Sequence, residues 1–86
     1  MSRFRAVVAE QGTGIIRNAR DPGQRVRRGQ QTEKSMLFKD ELSAMKYKDM
    51  VLAKYPELEV HVHDETWADV STRFYLQNGQ PVAEKL

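Results

Sequence analysis

The sequence predicts an α+β domain, an antiparallel sheet of four or five strands with one helix packed on one face. Three observations carry this reading. Residues 58–63 and 70–76 each alternate apolar and polar side chains, the period of a half-buried strand. Asn78-Gly79 directly follows the second run and supplies the positive-φ pair of a tight hairpin turn. Between Asp40 and Pro56 lies a stretch that suits a single helix. With 86 residues the chain forms one domain, 1–86, with a small core.

Residues 3–9 alternate well enough for a first strand, with Phe4, Ala6 and Val8 on one face and Arg5 and Val7 on the other. Gly12 and Gly14, two apart, favour a turn after it, and Ile15 and Ile16 can start a short second strand. Residues 18–31 hold one strongly apolar side chain, Val26, beside Pro22, Gly23 and Gly29. That composition predicts an irregular, flexible loop, basic over about residues 17–31. Lys34 to Phe38 reads as a strand carrying Met36 and Phe38 inward. Asp40 then suits a helix N-cap, and the helix runs to Tyr55 and stops before Pro56. A single helix over residues 33–55 is the rival reading. Lys48 falls inside the apolar arc, where its stem can lie on the core.

After the strand at 58–63, residues 70–76 place Val70, Thr72, Phe74 and Leu76 on one face. A helix over 67–76 competes, because Trp67, Val70 and Phe74 also fit helical spacing. Val82 opens the returning strand, and Pro81, lacking an amide donor, assigns it to a sheet edge.

The net charge of +2 hides a division. Residues 1–30 carry seven arginines against Glu10 and Asp21, a balance of +5, and no lysine. Residues 31–86 carry one arginine and six lysines against ten acids, a balance of −3. Five of the arginines, Arg17, Arg20, Arg25, Arg27 and Arg28, crowd into the loop. Arginine presents a planar fork of donors that pairs bidentately with phosphate or carboxylate. These five are the candidate partner- or phosphate-binding residues. No aromatic residue lies between Arg5 and Leu37, which argues against base stacking and leaves phosphate-backbone or acidic-protein contact. Residues 56–69 hold five acids and no lysine or arginine beside Trp67, a residue that serves either as core or as an interface anchor.

Other chemistries lack their residues. There is no cysteine for a disulfide or a thiolate zinc site. His61 and His63 share one strand face, but the metallo-hydrolase pattern H-x-H-x-D-H breaks at Glu65 and Thr66. No glutamate follows His63 at cupin spacing, so Glu59, His61 and His63 read as a solvated sheet face and no metal is expected. Gly12-x-Gly14 lacks the third glycine of a dinucleotide fingerprint, since Arg17 holds its place. No phosphate loop and no nucleophile elbow is present. No catalytic residue and no cofactor is expected, and the chain reads as a binder rather than an enzyme. The N-terminal residues lack the apolar core of a signal peptide and no apolar run spans a bilayer, so a cytoplasmic location without membrane contact is expected.

The plan of strand, turn-rich segment, strand, helix and C-terminal hairpin resembles small phage-encoded inhibitors of host machinery, anti-CRISPR proteins and inhibitors of bacterial RNA polymerase among them. Residues 3–9, 40–55, 58–63 and 70–82 carry the likeness, which is one of architecture and brings no functional residue with it. It implies a stoichiometric inhibitor that docks on a host protein or nucleoprotein assembly through arginine contacts. The alternative is a nucleic-acid-binding accessory or regulatory protein whose arginine loop grips phosphates.

Overall fold

In the computed structural model, which describes residues 3–26, 34–65 and 71–85, five strands and one helix follow in the order β1 (Phe4–Glu10), β2 (Met36–Phe38), α1 (Glu41–Lys54), β3 (Leu58–Asp64), β4 (Ser71–Gln77) and β5 (Gln80–Lys85). The strands form one sheet in the order β2-β1-β3-β4-β5, and every neighbouring pair is antiparallel. This is the α+β class that the sequence predicts, with five strands. β1 therefore sits between β2 and β3, the two strands that α1 connects. The helix lies across one face of the sheet, and the other face has no second layer among the described residues.

The core is the seam between helix and sheet. Ala6 and Val8 of β1 and Leu58, Val60 and Val62 of β3 meet Ala44, Tyr47, Val51 and Leu52 of α1, with Phe4, Met36, Phe38, Phe74 and Leu76 packed around them. β1 to β4 each contribute alternate residues, as the period of two requires. Asp40 caps the helix, its Oδ1 accepting from the Ser43 amide at 2.8 Å, and this bond holds the Asp40 carboxyl below the usual carboxylate range. Tyr55 ends the helix with its amide bonded to the Val51 carbonyl. The rival helix over 33–55 is excluded, because 36–38 pair with β1. Lys48 lays its stem on the core and brings Nζ to 4.9 Å from the centre of the Phe74 ring.

At the other end Asn78 and Gly79 both take positive φ, 52° and 79°, and close the β4–β5 hairpin. Residues 71–77 are strand, so the helical competitor fails where the structure describes it. Trp67, Asp69 and Val70 lie outside the described residues. β5 is an edge strand, where Pro81 costs no ladder bond. Ile15 and Ile16 yield a single bridge, Ile16 to Ala9, rather than a strand. No helix among the described residues is long and apolar enough to cross a membrane.

Candidate functional site

Two surfaces gather the polar chemistry. The first is the arginine-bearing turn. From β1 the chain reverses at Gly12 and Gly14, both at positive φ, and the Glu10 amide bonds to the Ile15 carbonyl. It then closes a second turn in which the Asn18, Asp21 and Gln24 amides donate to Gln24, Asn18 and Asp21 carbonyls respectively, with a bridge between Arg17 and Arg25 across its base. Over residues 17–26 the loop is therefore a hydrogen-bonded turn rather than an irregular one, and residues 27–31 of it lie outside the described residues. It is also seated on the domain. Ala19 is 1% exposed, Pro22 is buried, and the buried Tyr47 hydroxyl donates to the Ala19 carbonyl. Burial pushes the Tyr47 phenol up to about 12. The composition of residues 18–26 concealed this, because the anchors are small residues and a backbone carbonyl.

Glu10 organises the turn's guanidinium groups. Arg17 Nε donates to Glu10 Oε2 at 2.8 Å, and Arg17 Nη1 donates to the Pro22 carbonyl at 2.9 Å. Arg25 binds Glu10 in bidentate fashion, Nε to Oε2 at 2.7 Å and Nη2 to Oε1 at 3.1 Å. Hydrogen bonds from Arg25 and then Arg17 hold the Glu10 carboxyl at about 2, against the opposing effect of burial. The two arginines differ in what they leave outside. The Arg17 side chain is 17% exposed and that of Arg25 is 60% exposed. Arg20 is exposed at the tip, with its amide held by the Asn18 side chain. The structure thus brings Arg17 and Arg25 together on one carboxylate and places Arg20 at the tip beside Asp21. Arg27 and Arg28 lie outside the described residues.

The second surface is the uncovered sheet face. Register aligns three rows across it: Leu37, Arg5, His63 and Ser71; Val7, His61, Arg73 and Glu84; Ala9, Glu59, Tyr75 and Val82. Arg73 Nη2 donates to Glu84 Oε2 at 2.7 Å, the Tyr75 hydroxyl donates to Glu84 Oε1 at 2.7 Å, and the Arg73 guanidinium lies 4.7 Å from the Tyr75 ring centre. The Tyr75 bond, then the Arg73 bond, hold the Glu84 carboxyl below its usual range, and the same bond to Glu84 pushes the Tyr75 phenol up. Arg5 closes the opposite end through Glu65, its Nε donating at 2.6 Å.

Glu59 departs from the expected solvated face. Its side chain is 7% exposed, and Oε2 has no hydrogen-bond partner among the described residues. His61 Nε2 at 3.5 Å and Arg73 Nη1 at 3.4 Å approach that oxygen. Alternation put Glu59 on the polar face correctly but could not show what covers it. Gln11, in the turn after β1, donates from Nε2 to the carbonyl of the residue preceding Glu59, Leu58, at 3.0 Å. A groove of about 330 Å³ runs beside Glu59, lined by Val7, Ala9, Gly14, Ile16, His61, His63 and Ser71. A second of about 200 Å³ lies on its other side, between Gln11, Gly12, Arg73 and Tyr75. Sequence reasoning singled out neither Arg73, Tyr75 nor Glu84, although the strand period places all three on this face with Glu59 and the histidines. Among the described residues no three histidine, aspartate or glutamate side chains converge as metal ligands.

Comparison with known proteins finds no matching family model, no matching curated protein and no matching solved structure.

Proposed function

We propose that this chain is a small non-enzymatic binding protein, a stoichiometric inhibitor of the kind phages direct at host machinery. In this reading it works in the cytoplasm and docks on a host protein or nucleoprotein assembly through arginine contacts. One observation supports it above others: Arg25 is clamped in bidentate fashion by Glu10 and still leaves most of its side chain exposed, on a turn bolted to the core. A guanidinium held in one orientation loses little conformational freedom on meeting a carboxylate or phosphate, which is what preorganised recognition requires.

The phosphate-gripping alternative draws less from the same geometry. Glu10 neutralises one of the two guanidinium groups it binds, and Asp21 stands next to Arg20, so the described turn carries little net positive charge. Affinity for free nucleic acid scales with the number of phosphates neutralised. Free duplex and single-stranded oligonucleotides should therefore bind only at roughly micromolar or weaker Kd at physiological salt, in the range of non-specific contact. Titration by fluorescence anisotropy at two salt concentrations tests this. Nanomolar binding to any oligonucleotide would make the phosphate-gripping role the leading one.

A further inference from the structure

The tip of the β4–β5 hairpin carries a reactive pair that is independent of whatever the chain binds. We propose that Asn78 is a site of spontaneous deamidation, with the Gly79 amide as nucleophile and water as co-reactant. Both residues are exposed, and the Asn78 side chain has no hydrogen-bond partner among the described residues. Gly79 has no side chain to crowd the attack, and no atom lies within 4 Å of the place one would take. The Gly79 nitrogen gives its proton to solvent and bonds to Cγ of Asn78. The Cγ–Nδ2 bond breaks, and ammonia leaves with a proton drawn from water. The cyclic imide so formed then takes up water at either carbonyl. Opening at Cγ leaves aspartate, and opening at the main-chain carbonyl leaves isoaspartate, whose backbone runs through Cγ. In sum, one amide and one water become one carboxylic acid and one ammonia.

The chain has one other asparagine, Asn18, and the structure protects it. Its Oδ1 accepts from the Arg20 amide at 3.0 Å, and its own amide is bonded to the Gln24 carbonyl. The residue that follows, Ala19, is 1% exposed and is held by the Tyr47 hydroxyl. Ring closure at Asn18 therefore waits for the turn to open. At Asn78 the product matters because Asn78 and Gly79 alone join the two strands, both at positive φ. Aspartate leaves the backbone as it was. Isoaspartate inserts one more carbon into a connection whose length and twist set the register of the hairpin. The strand at risk is β5, an edge strand that pairs only with β4, and with it the bonds from Arg73 and Tyr75 to Glu84. The helix–sheet core contains no residue of β5 and is spared.

The test ages the full folded chain in neutral and in mildly alkaline buffer. Intact mass, tryptic peptide mapping and isoaspartate-specific methyl transfer follow the products. Asn78 should convert at least about tenfold faster than Asn18, whose turn must open first. Conversion should be faster at the higher pH, because the Gly79 amide must give up its proton. In the isoaspartate fraction, amide exchange in β5 should accelerate while exchange in α1 and β3 stays as it was. Asn78→Asp should keep the β5 protection of the fresh protein, which separates the rerouted backbone from the added charge. Asn78→Gly also accepts the positive φ, so it should keep the hairpin and release no ammonia at this position. An aged folded chain with Asn78 intact, or conversion at Asn18 that keeps pace with it, would overturn the proposal. So would an isoaspartate form with β5 exchange unchanged, or an Asn78→Asp variant loosened to the same extent.

Discussion

Replacing Tyr47 by Phe isolates the bond that seats the arginine turn on the core. The ring stays, and with it the contact to Phe38 at 5.2 Å between centroids, so only the hydroxyl is lost. That hydroxyl donates to the carbonyl of Ala19, a residue 1% exposed, and no solvent stands ready to replace it. Removing one partner of a buried pair costs about 1–3 kcal/mol, which for a domain of this size is a fall in Tm of roughly 4–8 °C per kcal/mol. The effect should be local as well as global, because the bond joins residues 28 apart in sequence. Amide exchange at Asn18, Asp21 and Gln24 should accelerate, since their hydrogen bonds close the turn that Ala19 anchors. Differential scanning calorimetry and hydrogen exchange read the two consequences. An unchanged Tm with unchanged exchange in the turn would show that the turn is not fastened to the helix by this bond.

Tyr47 also predicts an alkaline limit. Its folded value of about 12 lies above the ordinary phenol value of 10.0, so its contribution to stability is complete below about pH 10 and is lost as pH rises through about 12. Glu10 behaves in the opposite sense: its folded value of about 2 lies below the ordinary 4.5, so its contribution is present above pH 4.5 and vanishes as pH falls through about 2. Side-chain carboxyl titration by NMR should find Glu10 still ionised at pH 3.5, and a midpoint near 4.5 would break the Arg17–Glu10–Arg25 cluster. Leu58→Ala, at a fully buried position between helix and sheet, should cost about 2–5 kcal/mol in urea denaturation. A loss well below that range would mean that the core closes around the smaller side chain.

The fold was legible where a local signal coincides with a tertiary need. The alternation at 58–63 is a strand because Leu58, Val60 and Val62 face the helix, and Asn78-Gly79 is a hairpin because both residues adopt the positive φ that the turn demands. Asp40 as N-cap and Pro56 as stop bounded the helix for the same reason. What stayed hidden depends on residues far apart in sequence. Tyr47 reaching Ala19 and Gln11 reaching the Leu58 carbonyl join residues 28 and 47 apart, and Glu10 meets Arg17 and Arg25 only once the turn between them has closed. Glu59 shows the difference most clearly, since its face was readable from the period of two and its burial was not. Leu42 and Met50 show the reverse, two apolar helix residues that remain 65% and 58% exposed.

Docking of the arginines on a host protein or nucleoprotein assembly is tested by affinity capture from nuclease-treated bacterial lysate. The comparison is between the wild type and a variant with Arg20, Arg25, Arg27 and Arg28 replaced by alanine. Arg17 is spared because its side chain is nearly buried against Glu10 and Pro22. The wild type should retain one protein partner at fixed stoichiometry after nuclease, and the folded variant should lose it by an order of magnitude or more, since each charged hydrogen bond contributes about 1.5–3 kcal/mol. Capture that disappears with the nucleic acid, or that the four substitutions leave unchanged, would contradict it.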